Sequence, residues 1–396
     1  MPTAPPSPPP APASPPSPPS NPKRVRPTPP ASLSPPSSLL FSPYLSLGVL
    51  TSPVPPSLFP SSPPLLTCAL PRSFTIYSLA SITPSLVSPR LPGRCGTITA
   101  VANDGKRTFL GTSRGYVRVY ERVTCIAEWR GGGRVAALEL VGGVVMVGRN
   151  EGAEVRQVGE DDDEDDDSEP DSDDEDLSAI SGAAGDSGSD SDDSHAPAPA
   201  PGTLEVFTTS RYEPLTLVAS VPLPSPVSSL LHPPTYVNKV LVATRSAGLL
   251  LYNVRSRKLL HTFGALEGRG VINAIVASPD PDTVAVSTTL AVPGSPPAHQ
   301  VTLLNLRHDK PLFSLSHSAP VHSMSFSATA PSLSTATPSE VHTWDLEKRS
   351  LLATYPHGNT APTSLLYLPN TPTLLATSLN SICIGRAGPA TSGPAT

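Results

Sequence analysis

Cysteine is scarce in this sequence of 396 residues: Cys68, Cys95, Cys125 and Cys383 stand far apart, with no Cys-x-x-Cys pair. No histidine lies near them at metal-ligand spacing. This scarcity argues against both a zinc site and a disulfide framework, and it suits a reducing compartment. We therefore expect no metal and no cofactor in this protein.

Long apolar runs are also missing. The most apolar stretch, residues 135–148, holds 14 residues and includes Glu139, whereas a helix needs about 20 apolar residues to cross a bilayer. The first residues are rich in proline and lack the apolar core of a secretory signal. No contact with a membrane is expected, and the sequence predicts a protein of the cytosol or nucleus.

Proline, in contrast, is abundant, with 53 residues against a usual share of about 5%. Residues 1–36 hold 17 of them and are predicted to form a disordered tail, residues 1–38, with polyproline II character. Two readings stay open for this tail. It is either a docking segment for proline-binding domains, with residues 22–26 as a short nuclear-import signal, or an unconstrained end.

Negative charge is concentrated in one segment. Of the 33 acidic residues, 18 lie in residues 160–193, where there is no Lys or Arg, so the net charge of −6 becomes +12 outside this window. Like charges repel one another, so residues 160–201 are predicted to be a disordered insertion. Ser168, Ser172 and Ser189 each have an acid three residues on and are candidates for phosphorylation by acidophilic kinases. The insertion either attracts basic proteins or competes with RNA for the basic remainder of the chain, or it only aids solubility.

A repeated pattern of short apolar strands and polar turns fills the rest of the chain. Each unit closes on a large or apolar residue: Tyr77, Tyr120, Phe207, Tyr252, Leu304, Trp344 and Ile384. The gaps are 43, 87, 45, 52, 40 and 40 residues, and removing the 42-residue insertion reduces the second gap to 45. WD-type propeller blades repeat every 40 to 45 residues or so. The sequence therefore predicts an all-β fold, a seven-bladed WD-repeat β-propeller.

The predicted boundaries follow from this pattern. Residues 39–159 are predicted to hold blades one and two and the first part of blade three. Residues 202–388 are predicted to hold the remainder of the propeller, and residues 389–396 a disordered end. The 52-residue gap is explained by a long turn at residues 291–297 within one blade. Only Trp344 and Asp345 form the dipeptide that names WD repeats, so packing rather than a buried polar network is expected to hold the blades.

Motifs of catalysis are weak here. Residues 111–115 match the Gly-x-Ser-x-Gly pattern of serine hydrolases, but that chemistry needs a helix after the serine, and an alternating strand follows Ser113. Histidines such as His317, His322 and His342 lie in or beside predicted strands and form no metal set. No catalytic residue is expected. The arginines are scattered, so contact with the phosphate backbone of RNA is expected to be at most a secondary property of this protein.

One stretch has a specific resemblance. Residues 231–241, followed by residues 253–263, closely resemble the U3 small nucleolar RNA-associated protein twenty-one family of WD-repeat proteins. Residues 40–48 and 72–77 look like the opening blade of the same family. The residues that carry the resemblance are candidates for partner contact, or alternatively shape a blade turn: His232, Pro233, Thr235, Tyr236, Asn238 and Lys239.

The resemblance implies a non-catalytic scaffold of small-subunit ribosome biogenesis. Members of this family are subunits of the UtpB subcomplex in the small-subunit processome, which assembles in the nucleolus on pre-rRNA with the U3 snoRNP. RNA contact is expected to be indirect or limited to the backbone. Family members carry a second propeller and a helical domain, so this chain is expected to match the N-terminal propeller only, as a fragment or partial gene model. The alternative function is a generic WD-repeat adaptor in another nuclear or cytosolic complex.

Overall fold

A computed structural model describes residues 41–48, 52–151, 202–356 and 362–387, apart from positions 62, 82, 211, 247, 267, 269, 292–293 and 380. These residues form seven antiparallel sheets of four strands each, the blades of a β-propeller. The predicted fold class is confirmed. Within the described ranges the helical elements are two 3-10 turns, Gly93–Cys95 and Gly264–Leu266, and no helix there is long and apolar enough to span a bilayer.

The first strand, β1 (Phe41–Gly48), belongs to the last blade. Blade 1 contains β2 to β5, at Ser57–Phe59, Leu65–Ala69, Phe74–Ser78 and Thr83–Val87. Blade 2 contains β6 to β9, at Ile98–Asn103, Arg107–Thr112, Tyr116–Glu121 and Thr124–Arg130. Blade 3 contains β10 to β13, at Arg134–Val141, Val144–Asn150, Gly202–Thr208 and Thr216–Leu223.

The remaining blades follow the same order. Blade 4 contains β14 to β17, at Val227–Leu231, Lys239–Thr244, Gly248–Asn253 and Lys258–Thr262. Blade 5 contains β18 to β21, at Val271–Ala277, Thr283–Leu290, Ala298–Asn305 and Lys310–His317. Blade 6 contains β22 to β25, at Ser323–Phe326, Ser332–Ala336, Glu340–Asp345 and Ser350–Pro356. Blade 7 contains β26 to β28, at Pro362–Tyr367, Thr373–Ser378 and Ser381–Ala387, together with β1.

The core lies between the blades. Middle strands such as β15 and β16 are largely buried, whereas the outer strand β17 is exposed along its whole length. One cluster joins Leu241 and Leu249 of blade 4 to Ile272 and Val286 of blade 5. Because a single blade cannot cover both of its faces, each sheet needs its neighbours, and the ring is the unit that folds.

The predicted repeat has a structural cause. Each predicted closing residue lies on the third strand of its blade, in β4, β8, β12, β16, β20, β24 and β28. At each one, the pairing with the outer strand shifts register, so the outer strand carries one extra residue. A β-bulge of this kind bends and twists the strand. The recurrent residue therefore marks the same bulged position in all seven blades.

The predicted interruptions fall inside hairpins. Strand β11 ends at Asn150 and β12 begins at Gly202, and these two residues face each other across the ladder. The acidic insertion therefore enters the ring between the second and third strands of blade 3. Residues 152–201 lie outside the described residues, so the predicted disorder and Ser168, Ser172 and Ser189 remain predictions. The long turn at 291–297 joins β19 to β20, as predicted.

The expectation that residues 40–48 open the first blade is wrong. Strand β1 pairs with β28, from Phe41 opposite Ala387 to Gly48 opposite Ser381. The ring is closed by one strand from the start of the propeller and three from its end. Pairing the two ends of the ring removes the open edge that a linear array of sheets would leave.

A polar network that the sequence did not lead us to expect, with His317 and Trp344 half-buried around the buried Thr335, lies at the boundary of blades 5 and 6. Trp344 donates its indole N–H to Thr335 Oγ1 at 3.2 Å. The ring of His317 places Nε2 2.9 Å from the same hydroxyl and Nδ1 3.2 Å from the carbonyl oxygen of Leu315. The carbonyl only accepts, so Nδ1 carries the proton and Nε2 accepts from Thr335. Packing alone therefore does not hold this blade.

The neutral state of His317 predicts a pH dependence. Burial lowers the pKa of His317 from 6.5 to about 4. Between these values the unfolded chain binds more protons, so the free energy of unfolding should fall by about 2–3 kcal/mol as pH drops from 6.5 to 4. Urea unfolding across this range measures the effect. His317→Gln should lose this part of the slope and His308→Gln, at an exposed turn, should keep it; equal slopes in the two variants would contradict the assignment.

Candidate partner-contact site

The six residues singled out by the sequence lie together in blade 4, in the loop from β14 to β15 and at the first residue of β15. His232 closes this loop, since its Nδ1 donates to the carbonyl oxygen of Lys239 at 2.8 Å. Inside it, the N–H of Tyr236 donates to the carbonyl oxygen of Pro233 at 3.1 Å. Pro233 is buried. These bonds give the loop one defined shape.

The loop is also tied to the neighbouring blades. The N–H of His232 donates to Glu139 Oε1 on β10 of blade 3, at 3.3 Å. The hydroxyl of Thr235 donates to Asp282 Oδ1, just before β19 of blade 5, at 3.1 Å. The loop therefore bridges three consecutive blades. Glu139 and Asp282 were missed in the sequence because their partners are distant along the chain.

Burial and neighbouring charges shift the pKa values of two residues in and beside the loop. Burial raises the pKa of Glu139 to about 7, and the His232 N–H acts in the opposite direction. The pKa of Tyr236 is raised by burial and by Asp282, while Arg307 opposes the rise. Tyr236 packs against the core between blades 4 and 5, and Lys239 Nζ lies 4.5 Å from the centre of its ring. Tyr236 and Lys239 thus form a stacked pair at the edge of the core.

Only some of the six residues singled out by the sequence are exposed on the loop. Asn238 adopts a left-handed conformation with φ of 57°, which asparagine tolerates better than most residues, and its carbonyl oxygen accepts from the N–H of Val254 at 2.8 Å. Val237, which was not singled out, is 80% exposed. Thr235, Val237 and Asn238 form the outer surface, while His232, Pro233 and Tyr236 hold the loop in place. His232, Pro233 and Tyr236 thus shape the blade turn, while partner contact by the exposed residues stays a prediction.

Catalytic and metal-binding readings gain no support from the geometry. Ser113 lies in the turn between β7 and β8, and its Oγ accepts the N–H of Thr97 at 3.0 Å. A strand follows it, so the motif is a hairpin turn. Across the part of the chain that the structure describes, no three His, Cys, Asp or Glu side chains are grouped as a metal site would require.

Comparison with known proteins gives a match to the part of the ring that contains the candidate site. Residues 198–384 match the family model of the WDR36/Utp21 first beta-propeller. The matched part, a little under half of the chain, is similar to the first propeller of the WDR36/Utp21 family. This range runs from the third strand of blade 3 into β28. It contains residues 232–239, which we call the partner-contact loop because the sequence predicts partner contact there.

Individual relatives agree with the WDR36/Utp21 match. The chain is 36% identical over 81 residues to WD repeat-containing protein 36 of Homo sapiens, covering 20% of this chain and 8% of the relative. It is 39% identical over 62 residues to the U3 small nucleolar RNA-associated protein 21 homolog of Schizosaccharomyces pombe, covering 16% and 7%. The matched segments thus span less than a tenth of either relative.

A solved structure shows the same fold. A chain in the crystal structure of a mitotic checkpoint complex superposes with a TM-score of 0.63 over 87% of this chain and 91% of that chain. Its sequence identity is 13%, so the likeness concerns the propeller architecture alone.

Proposed function

We propose that this WDR36/Utp21-type propeller is a non-catalytic scaffold in small-subunit ribosome biogenesis, acting in pre-rRNA processing with the U3 snoRNP. The family match over residues 198–384 carries the proposal, and the name of the fission-yeast relative, a U3 small nucleolar RNA-associated protein, supports it. The expected place of action is the nucleolus. Its direct partners would be protein subunits of the UtpB subcomplex within the small-subunit processome, and RNA contact would be indirect or limited to the phosphate backbone.

The partner-contact loop supplies a surface for such a scaffold. It is held rigidly by bonds to blades 3 and 5, so little conformational entropy is lost when a partner binds. Its exposed apolar tip, Val237, stands beside the polar residues Thr235 and Asn238. We assign the loop as a contact with a protein subunit on this basis.

Purification of the tagged chain tests the function, and the loop supplies the variant. We expect U3 snoRNA and UtpB subunits to copurify with the tagged protein, and Val237→Asp to reduce their recovery about tenfold by burying an unpaired charge in the contact. Val87→Asp, on the 60% exposed Val87 of β5, is the matched control and should retain them.

The outcomes separate the alternatives. Absence of U3 snoRNA, with a different set of nuclear or cytosolic proteins recovered, would replace the proposal by the generic adaptor. Recovery of U3 snoRNA with equal loss, or no loss, in the two valine variants would keep the function and reject the loop. Thermal midpoints of both variants should match the unmodified protein, since both side chains point to solvent.

A further inference from the structure

The bulges of the outer strands turn one side chain outward in each of several blades. In blades 4, 5 and 6 the extra, unpaired residues are Leu260, Leu312 and Leu352. A bulged residue leaves the regular alternation of the strand and re-aims its side chain. All three leucines are between 40% and 47% exposed. The bulge therefore places an exposed leucine at the equivalent position of three successive blades.

These leucines are part of a larger apolar surface. Leu259 and Leu351, beside them on β17 and β25, are also exposed. We call the five residues the leucine belt: Leu259, Leu260, Leu312, Leu351 and Leu352. The equivalent bulged positions of blades 1, 2 and 3 carry Ser85, Ile126 and Val218, of which Ile126 and Val218 are apolar and 37% and 40% exposed, but only blades 4 to 6 repeat leucine there. Single exposed leucines are ordinary on protein surfaces, but a repeated set on adjacent blades is a feature of interaction sites.

Contacts between blades make the belt continuous. His261 Nε2 of blade 4 lies 3.1 Å from Asp309 Oδ2 of blade 5. The guanidinium of Arg349 in blade 6 lies 5.1 Å from the ring centre of Phe313 in blade 5. Both pairs bridge the grooves that would otherwise separate the leucines of neighbouring blades. A partner can therefore cross from one blade to the next without spanning open gaps.

The turns that precede the three strands give the belt a positive border. Together with the first residues of β17 and β21, these turns contribute seven cationic side chains: Arg255, Arg257, Lys258, Arg307, Lys310, Lys348 and Arg349. Three acids lie in or beside these turns, namely Asp309, Asp345 and the exposed Glu347, against the seven cations. Asp309 accepts from the N–H groups of Gly264 and Ala265 besides meeting His261, and Asp345 lies 3.5 Å from Lys348 Nζ. The belt is thus apolar with a cationic edge.

We propose that the leucine belt docks an acidic, amphipathic segment of another protein, whose apolar side chains cover the leucines while its carboxylates meet the basic turns. Nucleic acid fits less well, because a phosphate backbone would leave the leucines uncovered. A second copy of this chain fits poorly too, since an isologous contact of belt with belt would oppose cation to cation. The proposal goes beyond the function proposed above and does not depend on it.

Designed peptides test the chemistry of the surface. Two synthetic amphipathic peptides share the same leucine positions, and one carries glutamate where the other carries lysine. Fluorescence anisotropy should show the glutamate peptide binding at least about tenfold more tightly, with the difference shrinking as NaCl rises from about 50 to about 500 mM because salt screens surface charges. Equal binding of the two peptides would overturn the proposal.

Variants locate the binding on the ring. The triple variant Leu260→Ser, Leu312→Ser, Leu352→Ser should weaken the glutamate peptide at least about tenfold. A matched control replaces three exposed apolar residues outside the belt, as Val87→Ser, Leu290→Ser and Leu379→Ser, and should bind as the unmodified chain does. Circular dichroism confirms that both variants are folded. Unchanged binding in the belt variant, or the same loss in the control, would contradict the assignment.

Photo-crosslinking in cells identifies the occupant. A photoreactive amino acid replaces Leu312 in the full chain, and Leu290 in a control chain. The proposal expects position 312, and not 290, to crosslink to a segment of another protein that combines acidic and apolar residues. Crosslinks to RNA, to a second copy, to residues 160–193 of the same chain, or to a segment without acidic residues would each overturn it. Recovery of U3 snoRNA is scored separately, so failure here leaves the proposed function standing.

Discussion

Replacing Arg149 by methionine should lower the free energy of unfolding by about 3–5 kcal/mol, because it leaves a buried carboxylate without its partner. Arg149 on β11 is 1% exposed. Its Nε lies 2.6 Å from Glu205 Oε2 on β12, and its Nη1 donates to the carbonyl oxygen of Gly115 in blade 2 at 2.7 Å. The side chain also packs under Gly131, where an added Cβ would stand 2.7 Å from the guanidinium carbon. One arginine thus joins the middle of blade 3 to a turn of blade 2.

The double variant separates the cost of an unpaired charge from the value of the pair. Arg149→Met with Glu205→Leu removes both charges, and we expect it to recover most of the lost stability, since an apolar pair can replace a buried ion pair at little cost. Arg94→Met is the surface control. Arg94 is 65% exposed and lies 3.2 Å from Glu128, so its loss should cost at most about 1 kcal/mol. Urea unfolding of the four proteins decides, and a loss below about 1 kcal/mol for Arg149→Met would show that Glu205 is solvated or paired elsewhere.

The third strands could be predicted from the sequence because each blade repeats the same local requirement. A large or apolar residue such as Tyr120 or Trp344 recurs at the same bulged position, and its spacing survives the long insertion. Blade number, the site of the insertion and the hairpin around Ser113 all follow from this periodicity. These features depend on residues close together in the chain.

The remaining features depend on partners that are distant in the chain. Arg149 and Glu205 lie on opposite sides of the insertion, and Thr335 meets His317 from the preceding blade. The sequence around each of these residues does not indicate which distant residue it contacts. In the candidate site the resemblance points to the loop, whereas the 80% exposure of Val237, a residue that the resemblance did not single out, is seen only in the structure. Burial and cross-blade bonds, which decide between contact and support, are visible only in three dimensions.

Closure of the ring by β1 is the second interaction with a large expected effect. The ladder between β1 and β28 joins seven pairs of residues. At about 0.5–1.5 kcal/mol for each ladder hydrogen bond, with roughly one bond per pair, deleting residues 1–49 should cost about 4–10 kcal/mol. This equals the whole stability of many domains. We therefore expect the truncated chain to lose its cooperative unfolding transition, whereas deletion of residues 1–40 keeps β1 and should retain it.

A covalent test avoids dependence on a chain that fails to fold. Ser46 faces Cys383 across the ladder, so Ser46→Cys in the full chain should form a disulfide with Cys383 on mild oxidation. Mass spectrometry of a proteolytic digest would find the peptides of β1 and β28 linked. Ser57→Cys, on β2 of blade 1, is the mismatched control and should not link to Cys383. Ser46 and Cys383 lie at opposite ends of the propeller sequence, so a link between them reports closure of the ring. If Ser46→Cys formed no link and the protein lacking residues 1–49 unfolded as the full chain does, another strand would have to complete the seventh blade.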